Sequence, residues 1–460
     1  MKSFDVFDTL IGRRFINNDN ILEEVQRILN IHNFVNYRKA ADTGKRNIFE
    51  IYEAMVQSQL IPKAIADKAL ELEYSLEISN AFPIIENIKK VNHGDLLISD
   101  MYLTGAMILE MVRSAGLDKQ VTIYQSNRDK HTGKLWERLK SATFLHLGDN
   151  KRSDYDVPIS FGINSELYPG THFTEIEEKI SKSTSKSLSC LMREVRLRLD
   201  HKFVTTEFLN TSTQFNLPAL MILCELINRT YPNRSMVFLG RDCQLLQKMY
   251  STFYNNTKSV YLPFSRKIAF LYPDLCIEYI NSHSPANSVL FDLNSTGTTW
   301  SRLSKLKKIE VGVAIFLNDQ QYLTSTHLLP DSFSYITKNN QIVTNIMYEL
   351  LNLADHGSIS SLSKLTDGVI VAGYDDKEVS NDIISDIHQP ILQAIALNKF
   401  YKESIRSELL SVSTEILIDT YRSLVSLISK SSKKLGPHVQ TLLEKERQHI
   451  RDLNSTITPI

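Results

Sequence analysis

Asp5, Ser99, Lys130 and Asp149 each stand at or just after a short apolar run, in that order along the chain. Phosphoryl transfer through a carboxylate needs these groups. A nucleophilic Asp sits at a strand end, acids nearby hold Mg²⁺, and a hydroxyl and a lysine bind the non-bridging oxygens. Ligands of open α/β sheets collect at the carboxyl ends of the strands. Taken singly, each residue has a bland explanation: a strand-end Asp caps a helix, and a lysine is a solvated surface group. Four of the right types in the right order are not explained that way.

A second constellation lies at residues 289–300 (VLFDLNSTGTTW). An apolar run leads to Asp292, then to a loop of small hydroxyl residues around Gly297, then to a helix-favouring stretch. Glycine lets the backbone curl close to an anion, and successive N–H groups at a helix start face it. Ser295, Thr296, Thr298 and Thr299 add hydroxyl donors, and an Asp before the loop can accept from sugar hydroxyls. No Gly-Lys-Ser/Thr follows, so this is not a Walker loop. The bland alternative is a Ser/Thr-rich helix start.

The elements that must position these residues alternate. Residues 3–10 (SFDVFDTL) read as a strand, and 20–88 as helices, with Ile65, Ala69, Leu72 and Leu76 on one helical face. Strands at 95–99, 121–124 and 144–147 alternate with helices at 105–115 and 135–140, the pattern of a parallel sheet. Residues 181–189 (SKSTSKSLS) shift the composition and mark a boundary. A second α/β pattern follows, with strands at 236–239, 260–262, 289–291 and 311–317, then helices after about residue 376. A charged helix is expected at 441–453 (TLLEKERQHIRDL), packed on its own domain.

Composition narrows the function classes. The chain has 460 residues, with 52 Lys+Arg against 52 Asp+Glu, so its formal charge of zero argues against non-specific nucleic-acid binding. Cys190, Cys224, Cys243 and Cys276 form no CxxC pair and read as reduced, buried thiols of a cytosolic protein. The first residues, MKSFDVFDTLIGRR, carry acids inside the apolar run and no cleavage site, unlike a signal peptide. The longest apolar run, 218–227, is too short to span a bilayer.

SFDVFDTL, LLISD, DKHTGKLW and HLGDNKRSD resemble the four motifs of the haloacid dehalogenase (HAD) superfamily, over about residues 1–170. The resemblance implies that Asp5 takes the phosphoryl group as an aspartyl phosphate and that Ser99 hydrogen-bonds it. Lys130, preferred over Lys134, balances the charge. Asp149 and Asp154 anchor Mg²⁺ together with Asp5. The family's phosphatases place an acid two residues after the nucleophile, where this chain has Phe7. Asp8 is then either a displaced acid/base or a cap of the turn.

Residues 289–300 are similar to the signature of type I phosphoribosyltransferases, with Leu293 in place of the second acid. That likeness implies that Asp292 holds a ribose hydroxyl of phosphoribosyl diphosphate (PRPP), and that Ser295, Thr296, Gly297, Thr298 and Thr299 hold its 5-phosphate. Arg241 and Arg266 fall where diphosphate would be met. Asp242 is placed to bind Mg²⁺ or to act as base toward the acceptor, with a local ion pair to Arg241 as the alternative. Glu349, Asp355 and His356 are weaker acceptor-side candidates, expected on a helix surface.

Together these readings give two Rossmann-like parallel-sheet α/β domains plus C-terminal helices. A HAD fold spans 1–172 with a helical cap at about 12–90, a helical linker 173–215, a phosphoribosyltransferase-like fold 216–375 and helices 376–460. The layout resembles the two-module ribofuranosyltransferases of bacterial O-antigen and capsule biosynthesis. That resemblance implies phosphoribosyl transfer from PRPP to a lipid-linked glycan at the cytoplasmic face of the membrane, then removal of the 5-phosphate. Three alternatives stand beside it. One is a HAD phosphatase with a phosphosugar-binding second domain. Another is a nucleobase-type phosphoribosyltransferase with a degenerate HAD domain, and the third is a non-enzymatic scaffold.

Overall fold

The computed structural model describes residues 1–14, 19–254, 259–295, 299–300, 303, 311–316, 333–334, 342–377 and 379–431. They form two compact units: 1–174 with 196–200, and 175–195 with the described residues from 201 onward. Each unit contains a five-stranded parallel sheet, and helices close the described chain, so the α/β class with two Rossmann-like sheets is the one adopted. The helical stretch expected as a linker, 173–215, is instead built into the units. Leu188, Leu191, Met192 and Val195 of the helix Lys186–Arg198 are buried. The Ser- and Lys-rich composition around them hides an apolar stripe.

In the first unit the strands are β1 (Lys2–Asp5), β2 (Ile11–Arg13), β3 (Ala81–Pro83), β4 (Leu96–Asp100), β5 (Thr122–Ser126), β6 (Leu145–Gly148) and β7 (Asn164–Leu167). The sheet order β5-β4-β1-β6-β7 puts β1 at the centre. The chain runs from β1 to β4 and β5 on one side and then crosses to β6 and β7 on the other, which opens a crevice at the carboxyl end of β1. The strand expected over 3–10 stops at Asp5. The backbone turns there, with Leu10 N on Val6 O at 2.9 Å and Ile11 N on the same oxygen at 3.0 Å. Phe4, Leu97 and Leu147 anchor the buried side of the sheet.

Four helices, Asp19–Leu29, Phe34–Ala41, Ile48–Gln57 and Lys63–Asn80, lie between the antiparallel partners β2 and β3, inside the expected cap. The third begins with a capping box, Glu50 N on Asn47 Oδ1 at 3.0 Å and Asn47 N on Glu50 Oε2 at 2.8 Å. The fourth differs from its apolar reading. Ala66, Ala69, Glu73, Glu77 and Asn80 are its buried positions, while Ile65, Leu72 and Leu76 are only partly covered. Glu73 is buried because Arg38 grips it bidentately at 2.9 and 3.0 Å, with Tyr52 Oη donating at 2.7 Å.

In the second unit, β8 (Ser235–Leu239), β9 (Val260–Leu262), β10 (Ser288–Ser295), β11 (Val311–Phe316) and β12 (Phe333–Ser334) form a parallel sheet in the order β12-β11-β10-β8-β9. The helix Leu217–Thr230 is buried all along Leu217 to Ile227, which accounts for the longest apolar run. A hairpin not anticipated from the sequence, β13 (Ile359–Lys364) with β14 (Ile370–Tyr374), packs its buried Ile359, Leu362 and Ile370 into the core of this unit. Helices Asn381–Ala396, Asn398–Ser411 and Thr414–Ser431 follow. Arg229 ties the second of these to the central helix, donating to Leu409 O at 2.7 Å and Val412 O at 2.9 Å. The helix expected at 441–453 lies outside the described residues. All four cysteines are buried and free. Among the described residues no helix is long and apolar enough to cross a membrane.

The Arg38–Glu73 pair yields a stability test. Arg38→Met leaves a buried carboxylate uncompensated and is expected to cost about 3–5 kcal/mol in urea unfolding, and Arg38→Met/Glu73→Leu to recover most of it. A single change costing under about 1 kcal/mol would show that water reaches Glu73.

Candidate functional site

At the carboxyl end of β1, Asp5 is 7% exposed. Thr9 Oγ1 donates to its Oδ2 at 3.1 Å, and the Lys130 ammonium donates to its Oδ1. The same ammonium lies 2.5 Å from Asp154 Oδ1, so a single buried cation bridges two carboxylates. Ser99 is buried on β4, one residue beyond Ile98, which is in register with Asp5. Lys134, by contrast, is exposed.

Local chemistry places these groups. Asp100, at the end of β4, accepts Lys130 N at 3.2 Å and His131 N at 3.0 Å, fixing the short turn that carries Lys130. After β6 the chain enters a π-turn, Lys151–Asp156, capped by Asn150, which accepts Arg152 N at 3.0 Å and Ser153 N at 3.1 Å. Such turns recur at functional sites because they re-aim one side chain. The side chain re-aimed here is Asp154. Gly148 makes room for it: a Cβ there would fall 2.4 Å from Asp154 Cγ.

Behind Asp154 stands His146, wholly buried. Ser3 Oγ lies 2.9 Å from its Nδ1, and its Nε2 is 3.2 Å from Asp154 Oδ1. With the Ser3 hydroxyl donating to Nδ1, Nε2–H donates to the carboxylate. Oδ1 of Asp154 is therefore committed to Lys130 and His146. Oδ2 accepts Asn150 N at 2.9 Å.

Burial pushes the Asp5 carboxyl well above its usual range despite Lys130, and Asp154 and Asp149 push the same way. Burial also raises Asp149 to about 6, with Asp8 and Asp154 adding to it. Asp154 goes the other way, to about 2, because Lys130 and His146 outweigh its burial. Asp5, Asp149 and Asp154 each offer a ligand oxygen, and these atoms lie within 4.8 Å of one another. Three carboxylates against one ammonium leave negative charge in excess, and the donors are all hard oxygens. The set fits a divalent metal ion. Asp8 sits in the turn after β1 with φ 58°, and its backbone N–H donates to Ile11 O at 2.7 Å. Its carboxylate stays close enough to raise Asp149.

The second sheet gathers the other predicted residues. Leu239, the last residue of β8, is in register with Asp292 of β10. Gly240, at φ 87°, then turns the chain into Arg241–Cys243 and buries Asp242. Asn294 Nδ2 donates to Asp242 Oδ2 at 2.9 Å, and Trp300 Nε1 to Asp292 Oδ2 at 2.8 Å. Strand alternation explains Leu293. It points into the core, while Asp292 and Asn294 share the opposite face. Burial raises Asp242, Asp292 and Glu349 to about 7 each. Asp292 adds to the rise of Asp242, Glu349 to that of Asp292, and Asp242 to that of Glu349. Arg241 and Arg266 oppose these rises from the same pocket.

Ser295 and Thr299 are buried at the two ends of the hydroxyl loop, while Thr296, Gly297 and Thr298 lie outside the described residues. Glu349, expected on a helix surface, turns toward the pocket from the helix Ile342–Leu351. Asp355 and His356 lie past that helix and are engaged by the fold. Gln244 Nε2 donates to Asp355 Oδ1 at 2.7 Å, and His356 Nε2 is 2.7 Å from Tyr261 Oη. Sequence reasoning missed Thr9, Asp100, His146, Asn150, Asn294 and Trp300. Asn150, just before an acid-bearing turn, is the one with a legible capping signal.

No protein-family model matches the chain, and no curated protein matches it.

Two measurements test these pockets. Gly148→Ala should displace Asp154 and weaken divalent-cation binding by roughly tenfold or more in calorimetry, with the circular dichroism spectrum unchanged. Unchanged affinity would remove Asp154 from the metal set. The second is a pH series. The folded protein keeps protons on Asp242, Asp292 and Glu349 where the unfolded chain has lost them. Their share of stability is therefore present below about pH 4 and lost as the pH rises through about 7. Melting temperature is expected to fall between about pH 4 and 7, and to fall less steeply in Asp242→Asn. An equal slope in the variant would contradict the raised carboxyl.

Proposed function

We propose that the chain is a bifunctional, Mg²⁺-dependent ribofuranosyl-transferring enzyme of the HAD–phosphoribosyltransferase type. In this reading the second unit transfers 5-phosphoribose from PRPP to a glycan hydroxyl. The first unit then removes the 5-phosphate. One observation carries the reading. A single chain has three carboxylates gathered around one buried lysine at one parallel sheet (Asp5, Asp149, Asp154, Lys130) and a group of acids and arginines at another (Asp242, Asp292, Arg241, Arg266).

In the transfer, the bond from C1 of ribose to diphosphate breaks and the bond to the acceptor oxygen forms. A carboxylate of the pocket receives the hydroxyl proton. Arg241 and Arg266 meet the departing diphosphate, and Asp292, oriented by Trp300, accepts from a ribose hydroxyl. Ser295 and Thr299, with Thr296, Gly297 and Thr298, hold the 5-phosphate.

In the hydrolysis, an oxygen of Asp5 attacks phosphorus and the phosphate ester bond breaks. The resulting aspartyl phosphate is opened by water. Thr9 and Lys130 orient the nucleophile, and Lys130 and Ser99 meet the phosphoryl oxygens. Asp8 hands a proton to the leaving hydroxyl. Asp5, Asp149 and Asp154 would hold Mg²⁺, which would supply positive charge against the phosphate. The acceptor in this reading is a lipid-linked glycan at the cytoplasmic face of the membrane, and the cap over β1 shapes which phosphosugar enters.

Calorimetry with PRPP and Mg²⁺ tests the reading. The intact protein and Asp5→Asn are expected to bind PRPP, and Asp292→Asn to lose at least about tenfold in affinity. No binding to the intact protein would sink the transferase step. It would leave a phosphatase with a phosphosugar-binding second unit.

A further inference from the structure

Asp242, Asp292 and Glu349 share one pocket, but their carboxylates are not equally committed. Asp242 accepts from Asn294, and Asp292 from Trp300 and Ser295. The Glu349 carboxylate accepts no hydrogen bond from the described residues; the groups acting on it are Asp242, Arg241 and Arg266, through charge. It is half-buried, and the helix that carries it, Ile342–Leu351, packs against the turn Arg241–Cys243. A carboxylate fixed by donors on both sides serves to position. One that no described residue donates to, near the arginines assigned to diphosphate, has acceptor capacity to spare where the reacting atoms would meet.

We propose that Glu349 is the base that takes the proton from the attacking hydroxyl, while Asp242 and Asp292 position the pocket and the ribose. The inference rests on the transferase reading. Bond by bond, the acceptor O–H gives its proton to a Glu349 oxygen. The acceptor oxygen bonds to C1, and diphosphate leaves with the electron pair of the broken C1–O bond.

The electrostatics agree. Burial first, then Asp242, pushes Glu349 up to about 7, and Arg241 and Arg266 pull against them. Asp292 on β10 is the remaining charge facing it. A base that titrates near the working pH is both ionised and strong enough to hold the proton. Glu349 is also separate from the acids that fit a metal ion, which belong to the other unit.

The test uses the full-length protein with PRPP and Mg²⁺, with water standing in for the acceptor, and reads diphosphate release alongside PRPP affinity. Glu349→Gln is expected to bind PRPP within about threefold of the unaltered protein. It should release diphosphate on the order of 100-fold more slowly and lose the rise in rate through about pH 7. Glu349→Asp should keep that rise. Release from Glu349→Gln at the unaltered rate overturns the proposal. So does slowing explained wholly by weaker PRPP binding, or a bound PRPP that the unaltered protein hydrolyses no faster than buffer does. Failure of the unaltered protein to bind PRPP is a different result: it removes the transferase reading itself.

Discussion

The first unit is organised around one buried ammonium. Lys130 lies between Asp5 and Asp154, and little of the surrounding architecture makes sense without it. An unpaired buried charge costs several kcal/mol, so both its position and its partners must be fixed. Asp100 fixes the turn from which it reaches in. The π-turn and Gly148 bring Asp154 to it, and His146, held by Ser3, keeps Asp154 from turning away. Positions far apart in sequence thus serve a single contact. The outcome is asymmetric: one carboxylate is held ionised, while its neighbours wait for more positive charge.

The second pocket solves a different electrostatic problem. Its cations are arginines at the starts of separate elements, and among the described residues no lysine is paired with its acids. The three acids consequently climb toward neutrality, whereas Asp154 is drawn down to about 2. A pocket of the first kind suits charge neutralisation around a phosphoryl group. One of the second kind suits proton exchange and recognition of hydroxyls. Both arise at the carboxyl edge of a parallel sheet, where strand ends converge and backbone groups are left to bind ligands.

Much of this was legible in the sequence because strand ends are local features. A short apolar run followed by Asp, Ser or Gly-Asp announces both the strand and the residue it presents, and Asp5, Ser99, Asp149 and Asp292 were readable so. What the sequence concealed was contact between distant positions. Nothing near His146 in the chain marks it as the support of Asp154, and nothing near Glu73 predicts Arg38. The buried face of the fourth cap helix was misread by about one position, since glutamates count as exposed in any hydrophobic pattern until their partners are known. Leu293 looked like a defect in a motif. The alternation of β10 shows it to be a core residue, with Asn294 supplying the polar contact two positions on from Asp292.

The chain contains two tryptophans, and both belong to these pockets. Trp136 meets His146 edge-on, with ring centroids 4.6 Å apart, and Trp300 is hydrogen-bonded to Asp292 at 2.8 Å. Both indoles are fully buried, so their emission is governed by nearby charge and hydrogen bonding rather than by bulk water. Each of the two pockets therefore carries its own fluorophore. Replacing one tryptophan leaves the other as a private optical reporter, and occupancy of either centre becomes observable in the intact chain without an attached dye.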